Sequence, residues 1–103
     1  MHEAPIQHIT ACGCRIALRR SGAGRAMLVL HGASDAGLWP PCMAELAAAH
    51  DVIVPEHPGY GASDTPGWLD TIADLANFYL DLLDQLDLTD VDLVGHGLGG
   101  WIA

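Results

Sequence analysis

Val91-Asp92-Leu93-Val94-Gly95-His96-Gly97-Leu98-Gly99-Gly100-Trp101 is the stretch on which the reading of this chain turns. Val91 to Val94 reads as a buried strand. It breaks on glycines and enters Trp101-Ile102-Ala103, an apolar segment that starts a helix. A strand–turn–helix with a G-x-S-x-G frame holds its central serine at the tip of a sharp turn as a nucleophile. Here the central position is Gly97, which has no side chain with which to attack.

Upstream, two more apolar runs end in turn residues. Ala26-Met27-Leu28-Val29-Leu30 has the continuous hydrophobicity of a strand buried on both faces and stops at His31-Gly32. Asp51-Val52-Ile53-Val54-Pro55 repeats the pattern and opens into the turn-rich segment Glu56 to Gly67. Ile6 to Thr10 and Cys14 to Arg20 read as short strands joined around Cys12-Gly13. Pro40-Pro41 suits a first helical turn, and the alanine-rich Cys42 to Ala49 is helical by propensity. From Thr71 to Leu86 the spacing predicts an amphipathic helix. Its apolar stripe is Ile72, Leu75, Ala76, Tyr79, Leu80, Leu83 and Leu86, with Thr71 as N-cap and Asp74 at the positive end. The order of elements predicts an α/β fold in which an antiparallel hairpin leads into a parallel sheet with right-handed crossover helices.

The chain has 103 residues, half of them hydrophobic, which suits one domain with a core. No apolar run approaches the ~18 residues needed to span a bilayer. The N-terminal residues lack the basic flank and apolar stretch of a signal peptide, so a cytoplasmic location is expected. A net charge of -9 argues against nucleic acid and anionic membranes as partners. Cys12, Cys14 and Cys42 are expected to be structural thiols: the first two have C-x-C spacing, with no second pair to complete a metal site. The histidines (His2, His8, His31, His50, His57, His96) never show the i, i+4 spacing of a zinc helix. Neither metal nor cofactor is expected.

Leu30-His31-Gly32, Pro58-Gly59-Tyr60-Gly61-Ala62-Ser63-Asp64 and Gly95-His96-Gly97-Leu98-Gly99-Gly100 each follow a predicted strand. In this order they resemble the N-terminal half of the α/β-hydrolase fold family, in particular its cofactor-free esterases, carbon–carbon bond hydrolases, epoxide hydrolases and haloalkane dehalogenases. The resemblance implies that residues 1–103 form a partial core domain that stops after the nucleophile elbow, without the cap and C-terminal part. It implies that His31-Gly32 turns the chain so that the N–H of Ala33, or of Ser34, points into the site. The N–H of Leu98 would be the second oxyanion donor, and losing one such donor typically costs ~10²-fold or more in rate. Gly95, His96 and Gly99 would frame the elbow. The family carries serine, aspartate or cysteine at position 97, and in one serine hydrolase loss of the serine costs on the order of 10⁶ in turnover. The family's acid and histidine follow the nucleophile in chain order, and this sequence has neither after Gly97. Ser63 lacks the elbow frame and is expected to form a turn. The expectation is therefore a hydrolase-type protein, inactive as written, acting on a small molecule only if a longer form is active.

The same glycines permit another reading. Gly95, Gly97 and Gly100 satisfy G-x-G-x-x-G between a strand and a helix, as in a dinucleotide-binding fragment. That fingerprint also needs an acidic residue ~20 positions on and belongs to the first βα unit. A third reading is a non-catalytic interaction remnant whose uncovered sheet edge drives self-association and leaves the free monomer marginally stable.

Overall fold

The strand Arg25–Leu30 (β3) explains the layering, because its two faces enter two different cores. The computed structural model describes residues 6–32, 45–61, 63–88, 90–95 and 97–102. Leu28 and Leu30 pack with Ile53, Leu75, Phe78, Tyr79 and Leu82 on one side of the sheet. Met27 and Val29 pack with Val52 and Val54 on the other, against Leu46 and Ala47. Successive side chains of a strand point to opposite faces, so a strand covered on both must be apolar throughout.

The remaining elements are β1 (Ile6–Ala11), β2 (Cys14–Ser21), β4 (His50–Pro55), α1 (Ile72–Gln85), β5 (Asp92–Gly95) and α2 (Leu98–Ile102). Residues 45–47 are also helical. The sheet order is β1-β2-β4-β3-β5. β1 and β2 form an antiparallel hairpin, β2 is antiparallel to β4, and β3 lies parallel to both β4 and β5. This is the α/β arrangement that the order of elements predicts, with helical cover on both faces. Pro40, Pro41 and Cys42, in the first crossover, lie outside the described residues.

The hairpin turn is Cys12-Gly13, with φ of +52° and +71°, the two positive values of a type I′ turn. Cys12 is held in this unusual conformation from both sides. Its thiol donates to Asp81 Oδ2 at 3.1 Å and its carbonyl accepts Trp68 Nε1–H at 3.2 Å. The hydrogen bond from Cys12 to Asp81, then burial, raises the thiol pKa, so this cysteine stays protonated and poorly reactive.

Three expectations need correction. The buried stripe of α1 is Leu75, Phe78, Tyr79 and Leu82, whereas Leu80 is 62% exposed. The helix is rotated toward Phe78, which stacks on Trp68 at 5.9 Å. The last strand spans Asp92–Gly95, one residue later than predicted, and it is not buried: Leu93 and Val94 are exposed. Among the described residues it pairs with β3 alone, so nothing there covers its outer side. Finally, α2 starts at Leu98, three residues before the apolar Trp101-Ile102-Ala103 segment that suggested it.

Thr71 caps α1 as expected. Its hydroxyl accepts the Asp74 N–H at 3.2 Å, and Asp74 Oδ2 accepts the N–H groups of Thr71 and Asp70, both at 2.9 Å. These form a capping box with aspartate at its third helical position. Thr71→Ala is expected to lower unfolding free energy by ~1 kcal/mol in chemical denaturation. The backbone N–H groups of Thr71, then Asp70, favour the charged carboxylate and hold Asp74 below its ordinary pKa. Its contribution is therefore present at neutral pH and is lost as pH falls from the unfolded value through the lower folded one. Denaturation of Asp74→Asn across that acid range is expected to show a shallower loss of stability than the parent chain.

Candidate functional site

The ends of β3, β4 and β5 bring together His31-Gly32, Glu56-His57 and the turn before α2. Parallel strands that finish on the same side of a sheet place their following loops in one cluster, where ligands bind in open α/β sheets. Gly97 has φ +57°. Among the described residues, a Cβ built on it would meet only Gly32 Cα, at 3.8 Å, an ordinary contact. Its two framing glycines differ. A Cβ on Gly95 would lie 2.5 Å from Gly100 Cα, and one on Gly99 would overlap the Leu30 carbonyl oxygen. The outer glycines are thus demanded by close packing of α2 on β3 and β5, whereas the central position meets no such close contact among the described residues.

Leu98 is the first residue of α2, so its N–H has no acceptor within the helix. Ala33, the other expected oxyanion donor, lies outside the described residues, as do Ser34 and His96. Gly32 is described and buried beside the elbow tip.

Beneath this turn is a cluster that composition and spacing did not reveal. His31 and His57 are 4% and 0% exposed and stack at 3.6 Å between ring centroids. The His57 backbone N–H donates to His31 Nε2 at 2.9 Å, so that nitrogen carries no proton. His31 Nδ1 therefore holds the hydrogen and donates to the Gly32 carbonyl. In return, His57 Nε2–H donates to the His31 carbonyl at 2.8 Å. His57 Nδ1 accepts from the Tyr79 hydroxyl. Burial, then the field of Cys14, pushes the Tyr79 phenol well above its ordinary pKa, so it remains a donor. Two crossed hydrogen bonds thus join the ends of β3 and β4, and a third ties them to α1. The signal available in the sequence was that His31 directly follows one apolar strand and His57 stands two residues after the other.

Ser63 is similarly committed. Its hydroxyl donates to the Glu56 carbonyl at 2.7 Å and accepts the Ala17 N–H at 3.0 Å, which staples the loop after β4 to β2. Tyr60 rests edge-on against His31 and His57, at 5.5 and 5.7 Å. It borders an open cavity of about 210 Å³ that reaches Leu98. Among the described residues, no group of three or more His, Cys, Asp or Glu side chains is arranged to hold a metal ion.

The alpha/beta hydrolase fold family matches residues 25–103. An uncharacterized protein of Mycobacterium tuberculosis is 41% identical over 99 residues, covering 95% of this chain and 29% of that relative. A 2-hydroxymuconate semialdehyde hydrolase of Pseudomonas sp. (strain CF600) is 36% identical over 103 residues, covering 94% of this chain and 36% of that enzyme. The fold superposes on a haloalkane dehalogenase loop variant from Bradyrhizobium elkanii with a TM-score of 0.88 and 26% identity, over 98% of this chain and 35% of that one. The chain therefore spans about a third of the length of these proteins.

The hydrogen bonds fix the ring protons, and long-range ¹H–¹⁵N spectra are expected to show the Nδ1–H tautomer for His31 and Nε2–H for His57. Tyr79→Phe leaves His57 Nδ1 without its hydroxyl donor. It is expected to cost about 1–3 kcal/mol in denaturation.

Proposed function

The chain belongs to the α/β-hydrolase fold family, and from that we propose that it carries the oxyanion-forming part of a cofactor-free hydrolase site whose nucleophile has been replaced. The reaction class is hydrolysis of an ester, carbon–carbon or epoxide bond. The observation that carries the reading is Gly97: it has the left-handed backbone of an elbow tip, φ +57°, and space where a side chain would project. In the full reaction a nucleophile at this position attacks the substrate, backbone N–H groups of Ala33 and Leu98 hold the developing oxyanion, and a histidine activates water. Backbone donors survive a change of side chain. Gly97 therefore removes the attack while leaving the Leu98 donor, and this chain alone performs no covalent turnover.

The glycine packing supports an elbow over a dinucleotide fingerprint. In that fingerprint the third glycine serves close helix–strand packing. Its counterpart here, Gly100, would place a Cβ at an ordinary 3.7 Å from the Gly95 carbonyl oxygen, whereas the position that tolerates no Cβ against β3 is Gly99. No helix among the described residues is long and apolar enough to cross a membrane, and a cytoplasmic location belongs to the same proposal.

A fluorophosphonate probe is expected to leave the purified chain unlabelled by mass spectrometry, and ester hydrolysis is expected to show no saturable component. Labelling or saturable turnover would refute the inactive reading. Self-association through β5 is the interaction part of the proposal, because Leu93 and Val94 expose apolar surface beside an unpaired edge among the described residues. Val94→Lys is expected to shift sedimentation toward the monomer, and an unchanged mass distribution would remove that edge as the contact.

A further inference from the structure

A second cavity opens where the β1–β2 hairpin turns, at the edge of the sheet opposite β5. It encloses about 230 Å³ and is lined by Cys12, Trp68, Asp74, Asn77, Phe78 and Asp81, none of which lines the cavity beside Leu98. One helix supplies four of these residues. Positions 74, 77, 78 and 81 recur at i, i+3, i+4 and i+7 and so share one side of α1. The other two are fastened to that side. The Cys12 thiol donates to Asp81 Oδ2, the Cys12 carbonyl accepts Trp68 Nε1–H, and Trp68 stacks on the buried Phe78.

The two carboxylates are spaced rather than clustered. Seven residues at 1.5 Å each put Asp74 and Asp81 about 10.5 Å apart along the helix. That is too far for both to coordinate one hard cation, whose oxygen ligands lie at about 2.0–2.6 Å. Each nevertheless keeps an oxygen for a ligand. Asp74 engages the N–H groups of Asp70 and Thr71 through Oδ2, and Asp81 engages the Cys12 thiol, a weak donor, through Oδ2. The N–H groups of Thr71, then Asp70, hold the Asp74 pKa down and keep this carboxylate charged at neutral pH. Between the two acids in sequence stands Asn77, whose side-chain carbonyl is a further acceptor. Trp68 is 38% exposed even while stacked on Phe78. An indole attracts an ammonium over its face and packs against methylene groups.

We propose that this cavity binds a short α,ω-diammonium ligand, a linear diamine of about four methylenes, with one ammonium on Asp74, the other on Asp81 and the chain against Trp68. The dimensions agree. Such a diamine extends about 6 Å between nitrogens, and a charge-assisted hydrogen bond of about 2.8 Å at each end brings its reach to about 12 Å. A cavity of about 150 Å³ is large enough for benzene, so about 230 Å³ has room for a four-carbon chain. The site uses residues of the hairpin, the segment before α1 and α1 itself, and it is independent of the proposed chemistry at the elbow.

The test is a set of NMR titrations of the full chain with 1,4-diaminobutane, butylamine and 1,4-butanediol, following the Trp68 indole N–H and the Asn77 side-chain amide. The diamine is expected to shift both signals saturably, butylamine to bind at least about fivefold more weakly, and the diol to leave them in place. Asp74→Asn and Asp81→Asn are each expected to lower diamine affinity to that of butylamine. Asp84→Asn removes the same charge from an exposed position of α1 outside the cavity and is expected to change nothing. Asp81 is exposed and lies outside the capping box, so Asp81→Asn decides the matter if Asp74→Asn unfolds the helix end. Equal binding of diamine and monoamine overturns the two-ended site. An equal loss in Asp84→Asn reduces the effect to diffuse attraction by an acidic chain and overturns the proposal, as does an unmoved Trp68 signal.

Discussion

The approach of α2 to the end of β3 is the constraint on which the site depends. At Gly99 the helix backbone comes so close to the Leu30 carbonyl that no Cβ fits, and Gly95 meets the same limit against Gly100. Packing this close sets where the chain must turn between β5 and α2. It places Gly97 over Gly32 and makes Leu98 the first residue of the helix. A larger side chain at either outer glycine would push α2 away from the sheet and separate the elbow from the turn after β3.

That turn is held from below by polar groups in an otherwise apolar layer. Buried imidazoles are expensive unless hydrogen bonded, and the His31–His57–Tyr79 cluster satisfies its ring nitrogens with backbone groups and a phenol. The arrangement is reciprocal, since each histidine accepts or donates through the other's backbone as well as its own ring. It joins two strand ends and a helix, and so ties the apolar core beneath to the backbone above it. Ser63 extends the same logic to the neighbouring strand by binding both β2 and the start of the loop after β4.

Much of the fold was legible because local and tertiary demands coincide. The run Ala26 to Leu30 announces two buried faces, and both cores exist. Thr71 and Asp74 mark the start of α1 by their side-chain chemistry, which needs only neighbours in sequence. Leu80 misled because helical spacing defines a stripe only to within a turn, and the docking of Phe78 on Trp68 selected the rotation. Val94 misled for a different reason: an apolar strand signals that it expects cover, without saying which chain supplies it. At the site, the glycine pattern located the elbow, but the roles of its members emerged only in three dimensions. Gly95, Gly97 and Gly99 are equivalent as letters, yet two are required by contacts and one is not. The pairing of His31 with His57 spans two strands and could not be read from either alone.

The left-handed backbone at Gly97 also bears on how such a chain changes over time. An L-residue with a side chain costs roughly 1–2 kcal/mol in that conformation, whereas glycine adopts it freely. An attacking residue at the tip is therefore maintained against the stability of the fold, and only selection for turnover holds it there. Where that selection lapses, a change to glycine relieves the backbone, and among the described residues the Cβ site it empties makes only one ordinary contact. On the proposed reading, catalysis and architecture are separable at this residue, and loss of the first is the thermodynamically downhill direction of drift.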